Sequence, residues 1–483
     1  MASLASDITQ LGALALARAI RDGRCTAVEA VRAHLDRIRA FDRDTPRLNA
    51  VLETNPAALA TAAELDARQA RTGPIGPLHG VPVLIKANID TTDAMATSAG
   101  SRALANHRAQ RDAPAISRLR AAGAVLMGTT NLSEWANFRS AHSIDGWSSL
   151  GCQTRNPYRL DRSPSGSSSG SAVAVAARLA PLAVGTETDG SIVSPASVNG
   201  VVGIKPTSGV VDARGIIPIA ASLDTAGPLA RTVRDAGALL AAMAKPTAPL
   251  LPAAALDNAS RPLRGVRIGV LRGFGTAAWP RQLETAIAVL SELGADVVDP
   301  VAITVDEGWR DAERLLLLHE FNVGLNNYLS RHQTGLANLG ELVAYNEAHA
   351  AEVMPVFGQD LLEAAASATL DQHAYAAVRQ SCIGAMRRGL ANAFAARELG
   401  FILAPADGPA RKIDHPNTPT ISSSSIAALS GYPSLALPWT LIDGLPMAVA
   451  LIGERFTELA LLATAIACET TRGPFPTPTY EPS

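Results

Sequence analysis

Apolar positions along the chain recur with two alternating periods, one helical and one that of short buried strands. Thr26 and Glu29 have the spacing of a capping box, in which hydroxyl and carboxylate satisfy free amides at a helix start. That helix is expected to run to about Asp42, and a second opens at Pro56, a favourable first-turn residue. The compact run Val83-Leu84-Ile85 reads as a buried strand ending in Lys86. A helix over 113–122, the strand Ala124–Met127, an apolar helix Ala172–Ala180 and the strand Leu182–Val184 follow. The pattern continues with helix 231–243, strand 266–271, helix 281–293 and strand 296–299. Residues 305–399 are almost wholly helical in period. The strands Phe401–Ala404, Leu435–Pro438 and Met447–Ile452 and a helix from about Thr457 come last.

These alternations predict an α/β fold with a large, mostly parallel or mixed, twisted central sheet covered by helices on both faces. The helical stretch 305–399 is expected to lie over one face or edge and to shape a pocket. Between about Ser143 and Ser171 the composition shifts to Ser, Gly, Pro and Asn, as in flexible tethers. Because this stretch runs directly into core elements, it reads instead as a structured loop. Nothing resembling a linker divides two cores, so residues 1–483 are expected to form one domain.

Composition narrows the function. Hydrophobic residues make up 47% of the 483 residues and charged residues 18%, enough apolar material for a large core, while aromatics are only 4%. A formal net charge of -2 and the lack of a basic cluster interleaved with aromatics argue against nucleic acid. Cys25, Cys152, Cys382 and Cys468 are far apart, as expected of thiols in a reduced compartment. The N-terminal stretch has helical spacing without the basic start of a signal peptide, and no apolar run is long enough for a membrane span. A cytoplasmic location without membrane contact is the expectation. The nine histidines show no His-Glu-x-x-His or zinc-type spacing, and neither phosphate-loop nor dinucleotide glycine motifs occur. No metal and no cofactor are therefore expected.

Three segments could carry chemistry. Gly166-Ser167-Ser168-Ser169-Gly170 matches the Gly-x-Ser-x-Gly nucleophile elbow, with Ser168 central and His415 as the late histidine. The elbow needs a strand before it, and Asp161-Arg162-Ser163-Pro164 cannot supply one. After the strand Leu182–Val184, the segment Gly185 to Ile192 displays Ser191 where α/β sheets place ligands, and consecutive amides in such a turn can hold an oxyanion. The same segment also suits an ordinary strand-to-helix turn capped by Ser191. Lys86 reads as a solvated cation or as a desolvated amine, which could act as a base.

Taken in order, PLHGVPVLIKANI at 77–89, SPSGSSSGSAVAVAA at 163–177 and GTETDGSIVSPASVNGVVGIKPTSG at 185–209 resemble the amidase signature family. NLSEWANF at 131–138, TRNPYR at 154–159, GIIPI at 215–219 and the GYPSL and IDGLP segments at 431–446 are most similar to its bacterial peptide amidases. The resemblance extends over most of the chain, with residues 85–210 as the signature core. It implies the amidase signature fold and a serine–cis-serine–lysine triad, in which Ser191 matches the nucleophile, Ser167 the bridging serine and Lys86 the base. It further implies an oxyanion hole from the backbone amides of Thr188, Asp189, Gly190 and Ser191. The implied activity is amide hydrolysis to acid and ammonia or amine through an acyl-enzyme on Ser191, on a small-molecule or peptide amide such as a peptide C-terminal amide. Arylamides, esters or carbamates are alternative substrates, and a glutaminase subunit of a transfer-RNA amidotransferase is a more distant reading.

The chain departs from the common family pattern at several places. Ala87 stands where Asp commonly follows the lysine, which removes a polar partner for Lys86. Val193 replaces an Arg typical of the glutaminase subunits, and Ser165 and Ser169 replace glycines. Trp135, Phe138, Tyr345 and Asn346 are candidates for the pocket wall.

Overall fold

The computed structural model describes residues 8–248, 263–274, 277–414 and 422–482. Both halves of the capping box form. Glu29 N donates to Thr26 Oγ1 at 3.0 Å and Thr26 N to Glu29 Oε2 at 2.8 Å, a cap worth about 1 kcal/mol. The helix it starts, Ala27–Arg37, runs on as a wider-turned π-helical stretch, Ile38–Asp44. The second helix spans Ala58–Thr72.

Eleven strands make one sheet: β1 (Val51–Thr54), β2 (Pro82–Lys86), β3 (Val125–Thr130), β4 (Leu182–Glu187), β5 (Val202–Lys205), β6 (Thr225–Ala230), β7 (Arg267–Leu271), β8 (Asp296–Val301), β9 (Phe401–Pro405), β10 (Ser434–Ile442) and β11 (Leu445–Gly453). Their spatial order is β1-β3-β2-β4-β6-β5-β10-β11-β9-β7-β8. The β2/β3, β2/β4, β7/β9 and β7/β8 pairs are parallel and the others antiparallel, so the sheet is mixed.

Alternation along β2 sends side chains to opposite faces. Val83 and Ile85 pack with Ile116, Leu119, Leu239 and Ile466 on one side, and Leu84 packs with Val31, Val173 and Val175 on the other. Helices thus cover both faces.

Strands β1, β5 and β6 have no counterpart in the sequence expectations. In β6 the run Thr-Ala-Gly-Pro-Leu-Ala contains two strand-breaking residues. Gly227 is there because a Cβ would come within 2.1 Å of Ile204 O. Pro228 pairs with Val184 inside the β4 ladder, and on its other side the β5 ladder has already ended at Leu229.

The helical segment comprises Trp309–His332, Leu339–Ala348, Ala350–Val353, Asp360–Ala366, Gln372–Arg379 and Ala385–Arg397, with a short π turn before the last. Leu316, Phe321, Leu325 and Met386 pack against Trp135, Phe138 and Ile217. A buried arginine pins this layer. Arg139 pairs with Glu134 at 3.1 Å and donates to the carbonyls of Val353, Phe357 and Gly358 at 2.7, 2.6 and 3.1 Å. Arg139→Ala takes away the cation that neutralises buried Glu134, which keeps only the Ser149 amide, and the donor of three carbonyls, and is expected to destabilise the protein by about 3–5 kcal/mol. Urea unfolding measures this, and an unchanged midpoint would contradict it. Among the described residues, no helix is long and apolar enough to cross a membrane.

Candidate active site

Lys86 ends β2, and the parallel neighbour β4 leads into the turn carrying Ser191, so the sheet itself brings lysine and serine to one edge. Between them stands Ser167, in the loop before the helix Ser169–Ala176, where the Gly166–Ser167 peptide is cis. Lys86 Nζ lies 2.8 Å from Ser167 Oγ, and Ser167 Oγ lies 3.0 Å from Ser191 Oγ. Lys86 and Ser167 are wholly buried, whereas Ser191 reaches the surface of a cavity.

The lysine has a buried polar cage. Its Nζ also lies 3.1 Å from Ser168 Oγ, 2.9 Å from Thr186 Oγ1 and 3.2 Å from Thr186 O. Asn88 Nδ2 donates to Thr186 Oγ1 at 3.0 Å and fixes that hydroxyl. Thr186 and Ser168 thus supply the partners that Ala87 cannot. Burial pushes the ammonium of Lys86 down to about 7, while the carboxylates of Glu187 and Asp224 pull it partly back up.

Gly190 takes φ +80°, and a Cβ there would approach Ser424 Oγ to 2.9 Å. The amides of Asp189, Gly190 and Ser191 meet no acceptor among the described residues. Those of Ile192 and Val193 are occupied by Glu187 Oε2, at 2.7 and 3.0 Å. Glu187 therefore braces the far side of the turn and leaves the near side open. Burial raises its carboxyl, and Lys205, itself buried and lowered to about 8, lies close enough to counter part of that. Thr188 Oγ1 donates to Asp224 at 2.6 Å, and Ser424 and Ser425 donate to the two oxygens of Asp189 at 2.7 and 2.5 Å.

The cavity measures about 460 Å³. Phe138 and Ile219 form part of its wall, Trp309, Arg310 and Leu317 of the helical segment another, and the Asp145–Arg411 ion pair with Asp407 closes a polar end. Of the four candidate wall residues, Phe138 alone lines it. Trp135 is buried, Asn346 Nδ2 donates to Gln359, and Tyr345 stacks on His349.

Ser168, central to the elbow motif, is buried and donates to Thr186 O at 3.0 Å. His415 lies outside the described residues. Spacing along the chain did not anticipate one grouping: Asp90, His107 and His332, from three distant segments, bring a carboxylate and two ring nitrogens within 4.8 Å. Tyr328 already links two of them, its hydroxyl donating to Asp90 at 2.6 Å and lying 3.1 Å from His107 Nε2.

The sequence profile described as Amidase matches residues 29–462. A probable amidase of Arabidopsis thaliana is 36% identical over 476 residues, covering 93% of this chain and 88% of its own. One component of the glutamyl-tRNA(Gln) amidotransferase of Pseudomonas aeruginosa is 35% identical, covering 94% of this chain and 96% of its own. The crystal structure of the peptide amidase of Stenotrophomonas maltophilia superposes with a TM-score of 0.90 at 45% identity, covering 97% of this chain and 98% of that one. A profile matching most of the chain, and relatives this similar along nearly their whole lengths, place the chain in the amidase signature family, as an amide-hydrolysing enzyme.

Proposed function

We propose that Ser191 is the nucleophile, Ser167 the proton bridge and Lys86 the base of an acyl-transfer mechanism. The observation that carries the reading is the unbroken path from Lys86 Nζ through Ser167 Oγ to Ser191 Oγ, at 2.8 and 3.0 Å. Neutral Lys86 accepts the Ser167 proton as Ser167 accepts that of Ser191. The Ser191 oxygen then attacks the carbonyl carbon, and the oxyanion develops against the turn amides of Thr188, Asp189, Gly190 and Ser191. The proton returns through Ser167 to the leaving nitrogen as the C–N bond breaks. Water attacks the resulting Ser191 ester by the same relay and releases the acid.

The substrate of this reading is a carboxamide, with a peptide C-terminal amide as its preferred form. Support comes from the similarity to the Stenotrophomonas peptide amidase and from a cavity with an apolar wall for a side chain and polar groups for a backbone. A cytoplasmic setting belongs to the same reading and is supported by four unpaired cysteines. A panel of amidated peptide, glutamine, anilide and carbamate, with Ser191→Ala as background, tests it. The amidated peptide is expected to turn over fastest and glutamine near background. Glutamine as the best substrate would contradict the peptide amide and favour the glutaminase alternative.

Two further results are expected. Ser168→Ala removes one polar neighbour of Lys86 but not the relay, and should slow turnover by no more than about tenfold. Glu187→Gln removes a charge that holds Lys86 protonated, so the acid limb of the kcat/KM profile should move to lower pH. A shift to higher pH would contradict the electrostatics described above.

A further inference from the structure

At the opposite end of β4 from Ser191 lies a second cavity of about 470 Å³. Arg178 precedes β4, and Arg231 follows β6, whose Ala230 pairs with Leu182 at the start of β4. The strand Leu182–Glu187 thus separates this cavity from the catalytic turn by roughly 20 Å, at about 3.3 Å per residue.

Arg178, Arg231 and Arg472 line it, with Arg37 near enough to disfavour the charge of the first two. Only two carboxylates act on them, Asp235 on Arg231 and Glu469 on Arg472. The Arg178 side chain has no hydrogen bond or ion pair among the described residues. Arg231 Nη2 donates to the carbonyls of Gln10 and Leu11, but its Nη1 is buried with no acceptor. Arg472 is held by the carbonyls of Gly473 and Pro438. The one carboxyl in the wall, Glu469, accepts from Val233 N through both oxygens, and burial raises it to about 7, so it offsets the guanidiniums poorly. Unsatisfied buried donors and clustered like charges both cost free energy, which a bound anion would relieve.

The remaining wall is apolar: Phe475, Pro474 and Pro476, with the Tyr158 ring fixed by its hydroxyl bond to Pro476 O at 2.7 Å. Planar guanidiniums match phosphate oxygens in pairs, and the space exceeds that of a bare phosphate. We propose that this cavity is a second ligand site that binds a phosphate group between Arg178 and Arg231, with room for an apolar or aromatic body against Phe475 and Tyr158.

Calorimetric titration of the whole protein in phosphate-free buffer tests this, using inorganic phosphate and a nucleoside monophosphate as probes on wild type, Arg178→Ala and Arg178→Glu. Arg178 is half-buried and outside the relay, so melting temperature and amide hydrolysis should be unchanged in both variants. The expected result is saturable one-to-one binding of at least one probe, weakened at least about tenfold by Arg178→Ala and lost in Arg178→Glu. Tighter binding of the monophosphate assigns the site to a phosphate ester, and equal or weaker binding assigns it to free phosphate. Absence of saturable heat with both probes, or binding that survives unchanged in both variants, would overturn the proposal.

Discussion

Ser191→Ala is expected to lower amide turnover by about 10⁶-fold, the scale on which loss of a serine nucleophile acts. The size follows from geometry. Ser191 is the one member of the relay that reaches the cavity surface, while Ser167 and Lys86 are sealed behind it. Ser168, although central to the Gly-x-Ser-x-Gly string, is turned away toward Thr186. Alanine at 191 leaves the turn amides and the cavity in place, so substrate binding should persist while chemistry stops. Steady-state hydrolysis of an amidated peptide, paired with calorimetric binding of the same peptide to the variant, separates the two. Retained turnover within about a hundredfold of wild type would remove Ser191 from the role.

The second large effect is that of Lys86→Ala, which should erase most activity at neutral pH and change the shape of the pH profile. A base acts when unprotonated, so with Lys86 in that role the acid limb of kcat/KM should report its titration in the free enzyme. With its ammonium lowered by burial to about 7, wild-type activity should rise through that pH and level off above it. In an exposed position the same side chain would stay protonated to about 10.4, and little base would be present. Lys86→Ala should lose this limb and regain part of the missing rate only as hydroxide becomes abundant. His79→Ala and His142→Ala should keep the wild-type limb, since neither histidine touches the relay. A histidine variant that loses the limb while Lys86→Ala keeps it would contradict the assignment of the base.

The parts of the site legible in the sequence are those held by contiguous strings. Lys86 ends an apolar run, Ser191 follows a strand, and Ser167 sits in a composition shift embedded between core elements. The bracing of the site was not legible, because its partners lie far apart in the chain. Ser424 and Ser425 reach Asp189 across more than 200 positions, Arg411 reaches Asp145, and Arg139 ties residues 353–358 to the core. The role of Ala87 is likewise clear only in three dimensions. Its amide donates to Thr130 O and its carbonyl accepts from Ser98 and Ala99, so the position carries backbone bonds, and Thr186 meets the lysine instead. Strand β6 escaped because Gly227 and Pro228 mimic a turn, when the glycine answers a close backbone approach. The clustering of Asp90, His107 and His332 shows the converse limit: spacing rules see groupings that are local in the chain and miss those that the fold assembles from distant segments.

The central claim is that the acyl group is carried on Ser191, and the most direct test is to trap it there. A slowly deacylating ester or a serine-directed phosphonate would be reacted with the enzyme, quenched in acid and digested with trypsin. Cleavage after Arg178 places Ser167 and Ser168 on one peptide and Ser191 on the next. The adduct is expected on the peptide beginning at Leu179, with fragmentation locating it at Ser191 and with none formed in Ser191→Ala. An adduct on the peptide beginning at Ser163 would contradict the assignment.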